Sequence, residues 1–338
     1  MRATIKDVAK RAGVSPSTVS LVLNHHDAAI SSRTRAIVKK AAQELNYRPN
    51  QLAVGLITKK TNVLGLIIPD NTNYFQAAYA SQIERVARSH GYALIIGIAN
   101  EAASRVIQYL YDFSDRGVDG IILIQSAFEN AEDNENCRRA IQDMPVPIIL
   151  TDRIYEKGNC DSVSIDDFWG GYLAVKHLLD LGHTRIGLIT GPLYYSNTAF
   201  RLDGARKAYK EAGLTLDESM IFEGEYQISG GTKSLPYLLG KGITAIFAFN
   251  DMIAFGIYKE LHAYNLKIPE DISIVGFDDI VFADIMQPPL TTVEYPIVSM
   301  AETLVPRLIA RIRSTAPAAC ESIVFAPLLK ARGSTRKL

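Results

Sequence analysis

Seven short apolar runs recur between residues 62 and 338, at 63–68, 93–98, 118–124, 146–150, 186–189, 244–249 and 272–277, and helix-length stretches alternate with them. Runs of this length bounded by polar residues read as buried strands. Strands that alternate with helices pair in parallel, because parallel neighbours need a long crossover and a helix supplies it. The pattern predicts an α/β fold of doubly wound sheets. In such sheets ligands lie beyond the carboxyl ends of the strands. Those ends are polar here: Asp70-Asn71, Asn100, Gln125-Ser126, Asp152-Arg153, Asn250-Asp251 and Asp278-Asp279, with Gly191-Pro192 after the fifth run. Any one of them reads equally as a helix cap or a turn, most clearly Asn250-Asp251 before a helix expected at 252–264. Together they read as a polar small-molecule site.

Charge separates the first sixty residues from this body. The whole chain balances 36 Lys plus Arg against 36 Asp plus Glu, yet residues 1–61 hold eleven bases and three acids, a net +8. The other 277 residues carry 25 bases and 33 acids, a net −8. A compact basic module reads as a polyanion binder. Within it, Thr4 and Asp7 make an N-cap pair before a helix at 5–12, and Gly13-Val14 breaks that helix. Ser15 caps a second helix with Pro16 at its first position, Val19, Val22 and Leu23 facing inward, and Ser17, Ser20 and Leu21 on the other face. A third helix starts after Ser31 with an expected stripe of Ile37, Ala41 and Leu45, and closes near Tyr47 because Pro49 disfavours helix before it. Three short helices with a Gly turn between the first two form a helix-turn-helix, whose second helix enters the DNA major groove.

The string TIKDVAKRAGVSPSTVSLVLN from Thr4 to Asn24 resembles the N-terminal signature of the LacI/GalR family of bacterial transcription regulators. Asn46-Tyr47-Arg48-Pro49-Asn50 with Ala53 and Leu56 resembles the hinge of the same family. The resemblance implies that Pro16, Ser17 and Leu21 read base edges, while Thr18, Ser20, Asn24, Arg33 and Thr34 hold phosphates. Thr4, Ser15, Tyr47, Asn50, Ala53 and Leu56 complete the implied DNA-binding set. Phosphate contacts position and base contacts specify. Many relatives carry Arg where this chain has Leu21, so the bidentate Arg–guanine contact is missing there. Leu21 either meets a thymine methyl or packs on the third helix. The hinge, 49–56, is too short for a stable isolated helix and contains Gly55, so it is expected to order on DNA. There a leucine at the Leu56 position wedges into the minor groove. The chain departs from the family at Val54-Gly55, where relatives commonly carry polar or basic residues.

The resemblance also implies a periplasmic-binding-protein type of effector domain. The expected organisation is a DNA-binding domain at 1–48, a hinge and linker at 49–61, and an effector and dimerisation domain at 62–338. Its first lobe is expected at about 62–165 and 291–325, and its second at about 166–290 and 326–338, with crossings near 165–169, 291–296 and 322–327. Effector-binding candidates are Asp70, Tyr74, Phe75, Ser126, Asp152, Asp166, Arg201, Tyr226, Asn250 and Asp278. Carboxylates and an arginine fork clamp hydroxyl pairs, and aromatic rings stack on a sugar's apolar face. The expected ligand is therefore a small polar effector, a saccharide or sugar derivative. Two half-sites match a two-fold protein, so the expected assembly is a homodimer, or a tetramer, acting as a repressor on a pseudo-palindromic operator. Residues 83–89 with Tyr79, and Tyr109, Leu110 and Phe113, supply either dimer surface or core.

Other chemistries find little support. The chain lacks a phosphate-binding G-x-x-x-x-G-K-[ST] loop and a G-x-S-x-G elbow, and Gly230-Gly231 reads as the start of a helix. Adjacent His25-His26 has no carboxylate or thiol partners at ligand spacing, so neither metal nor cofactor is expected. No nucleophile and base can be placed together, which argues against an enzyme. Cys137, Cys160 and Cys320 are odd in number and far apart, read as core residues, and favour a reducing cytoplasm. No apolar run approaches the roughly 18 residues of a membrane span, and no hydrophobic stretch of signal-peptide length opens the sequence. A solute-binding receptor feeding a transporter would fit the body alone, and the basic head weighs against it.

Overall fold

The computed structural model describes residues 3–23, 30–47, 60–125, 127–154, 160–314 and 319–338. The chain divides into two compact units, Met1–Thr61 and Asn62–Leu338.

The first unit holds helices α1 (Ile5–Ala12), α2 (Pro16–Leu23) and α3 (Ser32–Glu44). α1 starts in a reciprocal capping box: the Thr4 amide donates to the Asp7 carboxylate at 2.8 Å, and the Asp7 amide donates back to the Thr4 hydroxyl. Gly13 ends it at φ 66°, a left-handed conformation that a Cβ would disfavour. Ser15 and Ser31 accept from the Thr18 and Thr34 amides at 3.1 and 3.2 Å, which caps α2 and α3. Val8, Ala9, Val19, Val22, Val38, Ala41 and Ala42 form the core. Of the stripe expected on α3, Ala41 and Leu45 face the core and Ile37 does not. Ile37 is 44% exposed, and Val38, Ala41, Ala42 and Leu45 supply the helical spacing that faces inward.

The second unit has two lobes, each built on a six-stranded sheet. The first lobe contains β1 (Val63–Ile68), α4 (Tyr74–Ser89), β2 (Ala93–Ile98), α5 (Ala103–Asp115), β3 (Gly120–Ile124), α6 (Ala131–Gln142), β4 (Ile148–Thr151) and β5 (Asp161–Ile165). The chain then crosses into α7 (Asp167–Asp180), β6 (Ile186–Thr190), α8 (Ser196–Glu211), β7 (Ile221–Glu223), α9 (Ile228–Leu239), β8 (Ala245–Ala248), α10 (Asp251–Ala263), β9 (Ser273–Asp278), α11 (Phe282–Ile285) and β10 (Thr291–Glu294). It returns through α12 (Ile297–Arg313) to β11 (Ser322–Phe325), and crosses last into β12 (Leu328–Lys330). The strand orders are β11-β5-β4-β3-β1-β2 and β12-β10-β9-β8-β6-β7. Every pairing is parallel except β10 with β12.

The second crossing falls at the end of the expected 291–296 stretch. β10 pairs with β9, Thr291 opposite Val275, so the second lobe keeps the chain through Glu294, past its expected bound near 290, and the first lobe resumes with α12. Burial also decides the two stretches that the sequence left between dimer surface and core. Tyr79, Ile83, Leu110 and Phe113 are buried, and the exposed apolar residues nearby are Ile95 and Ile96 on the edge strand β2, with Tyr111. Gly230 and Gly231 lie in the first turn of α9. Two other glycines position the site described below. A Cβ on Gly171 would stand 2.1 Å from the Arg201 carbonyl oxygen, and one on Gly204 would stand 1.9 Å from that of Phe168. Only hydrogen at both positions lets α7 and α8 touch backbone to backbone and bring Asp167 beside Arg201.

Candidate effector cleft and DNA-reading helix

The strand ends of both lobes converge on a buried polar floor. Arg201 on α8 is 2% exposed, and its Nε donates to Asp167 on α7 at 2.8 Å. Another guanidinium nitrogen donates to the Phe249 carbonyl, and the guanidinium carbon lies 3.5 Å from the centre of the Phe277 ring. Around it stand Asp152 at the end of β4 and Asp278 at the end of β9, both buried. Burial pushes the Asp167 carboxyl up to about 6 against the pull of Arg201. It also raises Asp278 well above the ordinary range, and Asp152 to a lesser degree, with Arg201 opposing in both cases. The protein thus desolvates more carboxylate than it neutralises. Such groups are stabilised by hydrogen-bond donors, which ligand hydroxyls supply.

The backbone is held in uncommon conformations at these strand ends. Asp152 sits at φ 61°, Asp278 at φ 110° and Asp279 at φ 55°. Non-glycine residues are rare there, and such strain gathers at functional sites. Neighbours hold the geometry: Thr151 donates to the Val163 carbonyl and meets the Tyr79 hydroxyl, each at 2.8 Å. Tyr295, just after β10, donates to Asp152 at 3.0 Å. Arg153 donates to Glu101 at 2.9 Å and faces the ring of Tyr195 across the cleft at 4.4 Å. Tyr195 stacks parallel to Tyr226.

Two cavities meet this floor. The larger, about 510 Å³, lies among Asp70, Asn73, Glu101, Arg153, Tyr195 and Tyr226. The deeper, among Phe75, Asp152, Asn197, Arg201, Asn250 and Asp278, has only about 20 Å³. That is room for about one water. A ligand reaching Arg201 and Asp278 therefore has to part the lobes. On the same floor, Asn197 Oδ1 is buried and has no hydrogen-bond partner among the described residues. A buried acceptor left unpaired costs about 1–3 kcal/mol, which a ligand hydroxyl would recover.

Of the effector candidates, Phe75, Asp152, Arg201, Tyr226, Asn250 and Asp278 meet on the floor, and Asp70 lines the larger cavity. Asn250 does two jobs, since its Oδ1 caps α10 by accepting from Ile253 while its Nδ2 donates to the Tyr226 carbonyl. Tyr74 lines neither cavity. Its ring packs on Phe282 of the opposite lobe, 4.6 Å between centres, so it joins the lobes. Asp166 turns back onto its own helix, accepting from the Trp169 amide at 2.9 Å, and borders a further cavity at the edge of the floor, lined also by Asp152, Asp167, Phe168 and Phe200. The carboxylate that engages Arg201 is the next residue, Asp167. Ser126 lies outside the described residues. The site also takes in Arg153, Asn73, Glu101, Asn197, Tyr195 and Tyr295, which were not among the candidates. Arg153 followed Asp152 at a strand end in the sequence, and Tyr195 and Asn197 stood beside the Gly191-Pro192 turn.

In the first unit, Pro16 and Ser17 are exposed at the start of α2, and Arg33 is exposed on α3. Ser20, Leu21, Thr34 and Tyr47 are half-buried, as is Thr18, whose hydroxyl meets Ser15 at 2.9 Å. Thr4 and Ser15 are exposed caps. Leu21, half-buried on α2, is not among the residues of the described core cluster. Asn24, Asn50, Ala53 and Leu56 lie outside the described residues. No helix among the described residues is long and apolar enough to cross a membrane.

Comparison with known proteins agrees with both halves. Residues 4–50 match the family of bacterial regulatory proteins, lacI family, and residues 175–335 match a periplasmic binding protein-like domain. The ribose operon repressor of Escherichia coli K12 is 36% identical over 336 residues, which is 98% of this chain and 99% of the relative. The lac repressor dimer bound to operator and the anti-inducer ONPF superposes with a TM-score of 0.88 at 26% identity, over 99% of this chain and 100% of that one. A LacI family regulator from Enterococcus faecium with bound ribose gives a TM-score of 0.73 at 32% identity, over 82% of this chain and 99% of that one. The head and the two-lobed body thus occur together, in one order, along the full length of its relatives. The chain belongs to the lacI family of bacterial regulatory proteins and is a transcription regulator with an effector-binding domain, not an enzyme.

Proposed function

We propose that this protein is a cytoplasmic, homodimeric repressor of a pseudo-palindromic operator, released or tightened by a small sugar bound between its lobes. A pentose of the ribose class is the effector that this reading favours. The observation that carries it is the floor itself: surplus buried carboxylate around Arg201, the unpartnered Asn197 Oδ1, and the rings of Phe75 and Tyr226 beside them. Hydroxyls satisfy the first two and a sugar's apolar face suits the rings. The ribose operon repressor among the relatives and the ribose-bound neighbour point the same way.

In this reading residues 1–48 bind DNA, 49–61 form the hinge, and 62–338 bind effector and dimerise. Pro16, Ser17 and Leu21 meet bases, and Thr4, Ser15, Thr18, Ser20, Asn24, Arg33, Thr34, Tyr47 and Asn50 hold the backbone. Ala53 and Leu56 enter the minor groove. Arg201, Asp152, Asp278 and Asn250 grip the sugar's hydroxyls, with Asp70 at the mouth. The sugar opens the floor, replaces the Tyr74–Phe282 and Arg153–Tyr195 contacts with its own, and recloses the lobes at a new angle. The changed angle is passed to the hinge. A calorimetric screen of the whole protein against D-ribose, other pentoses, hexoses, uronates and nucleosides tests the assignment. Saturable heat with a pentose, lost in Arg201→Met, is the expected result; heat only with nucleosides would sink the sugar reading.

A further inference from the structure

We propose that Cys160 and Cys320 form an intrachain disulfide in response to peroxide, so that the first lobe carries an oxidant-responsive thiol pair in addition to its sugar cleft. β5 and β11 run parallel with Ser162 opposite Ser322, and the two hydroxyls hydrogen-bond at 2.9 Å. Side chains return to the same face every second residue of a strand. Cys160 and Cys320 each lie two residues earlier, just ahead of the first residues of β5 and β11, so the register brings the two cysteines to the same end of this strand pair. The Ser162 amide donates to the Glu321 carbonyl at 2.9 Å, and the Glu321 amide donates to the Asp161 side-chain carboxylate at 2.8 Å, which holds the two chain segments together up to the residue beside each cysteine. Adjacent strands lie roughly 4.8 Å apart, inside the roughly 4.4–6.8 Å between Cα atoms that a disulfide spans.

The two sulfurs differ in a way that sets the order of events. Both are free thiols, Cys320 exposed and Cys160 half-buried, while Cys137 is buried elsewhere with its thiol directed at the Ala103 carbonyl. Burial pushes the Cys160 thiol up to about 11 and the nearby Cys320 adds to that rise. Arg311 donates both to the Ala319 carbonyl and to the Asp161 carboxylate, which ties the backbone just before Cys320 to the start of β5. The exposed sulfur of Cys320 is the one that peroxide reaches first. The Cys320 sulfur attacks hydrogen peroxide, an S–O bond forms, the O–O bond breaks, and the departing hydroxide takes the thiol proton to become water. The Cys160 sulfur then attacks the sulfenic sulfur of Cys320. An S–S bond forms, the S–O bond breaks, and the second hydroxide leaves as water with the Cys160 proton. Two thiols are oxidised and one peroxide is reduced to two waters.

The bond would join the start of β5 to the start of β11, the edge strand that leads into the last crossing at 326–327. It also lies directly beside the Asp161 carboxylate, which accepts from Arg307 and Arg311 of α12. The test treats the full-length protein with a small molar excess of hydrogen peroxide, then maps peptides without reduction, titrates thiols and follows thermal unfolding. The expected result is a Cys160–Cys320 peptide, one remaining thiol, and an unfolding midpoint raised by roughly 5–10 °C and restored by dithiothreitol. Cys137→Ser should behave like the wild type, and Cys160→Ser and Cys320→Ser should lose the shift. Cys320 linked between two chains, or Cys320 driven to sulfinic acid while Cys160 stays free, would each overturn the proposal.

Discussion

Arg201→Met isolates the electrostatics of the cleft floor. The substitution keeps an apolar stem near Phe277 and removes the cation that Asp167 touches at 2.8 Å, with Arg201 2% and Asp167 7% exposed. Breaking a buried pair by deleting one partner costs about 3–5 kcal/mol, because the survivor is left charged and desolvated. Here the survivor has a way out. Burial already holds Asp167 at about 6, and loss of Arg201 raises it further, as it does Asp278 and Asp152. Between pH 5 and 8 the variant's native state therefore binds more protons than the wild type's, and its stability falls faster as pH rises. The gap between the two proteins should be small at pH 5, where Asp167 is neutral in both. It should widen above the wild-type value of about 6, by about 1.4 kcal/mol for each unit that the variant's carboxyl lies higher. Urea unfolding of both proteins at pH 5, 6, 7 and 8 measures it. A destabilisation that is the same at all four values would refute the reasoning, since the carboxylates would then not be what Arg201 compensates.

Three further outcomes follow from other parts of the molecule. Leu21→Arg should create a guanine preference at one symmetric position of each half-site, and an unchanged binding-site profile from random-sequence selection would show that Leu21 does not face the bases. Asp161→Asn removes the negative charge, and one of the two acceptor oxygens, that Arg307, Arg311 and the Glu321 amide share, and should cost about 3 kcal/mol at pH 7. These bonds hold the Asp161 carboxyl well below its ordinary value, so the wild-type advantage is present above about pH 4 and shrinks as pH falls; equal stability at pH 7 would contradict it. Tyr74→Ala deletes the ring contact with Phe282, worth about 0.5–1.5 kcal/mol, and should leave the sugar-free body more open by small-angle scattering, with a faster sugar on-rate. A body unchanged by both measures would remove Tyr74 from the account of closure.

How much of this was legible depended on how far each feature is local. β1 appears at the residues its apolar run predicts, since a strand paired on both sides and covered on both faces must be apolar throughout, and β2 matches its run although it is an edge strand with Ile95 and Ile96 exposed. Asp161–Ile165, Ile221–Glu223, Thr291–Glu294, Ser322–Phe325 and Leu328–Lys330 were missed because they are short and partly polar. Asp166 and Asp167 look equivalent in sequence, and only the start of α7 decides which faces Arg201. On α3 the expected stripe holds at Ala41 and Leu45, and its first turn is filled by Val38 where Ile37 was expected. Arg153 pairs with Glu101, 52 residues away, and meets Tyr195 from the other lobe, so no local pattern exposes its role.

In the proposed function the cleft and the DNA-binding head are coupled. Linkage requires the factor by which sugar changes operator affinity to equal the factor by which operator changes sugar affinity. The direct measurement is a titration of D-ribose, or of the pentose found by calorimetry, into the protein with and without a promoter fragment that it binds. Fluorescence anisotropy of the same fragment is followed alongside. The account predicts that the two dissociation constants shift by one common factor, about 5–150-fold as coupled sites usually show. Sugar and DNA that both bind, with neither constant altered by the other partner, would contradict it.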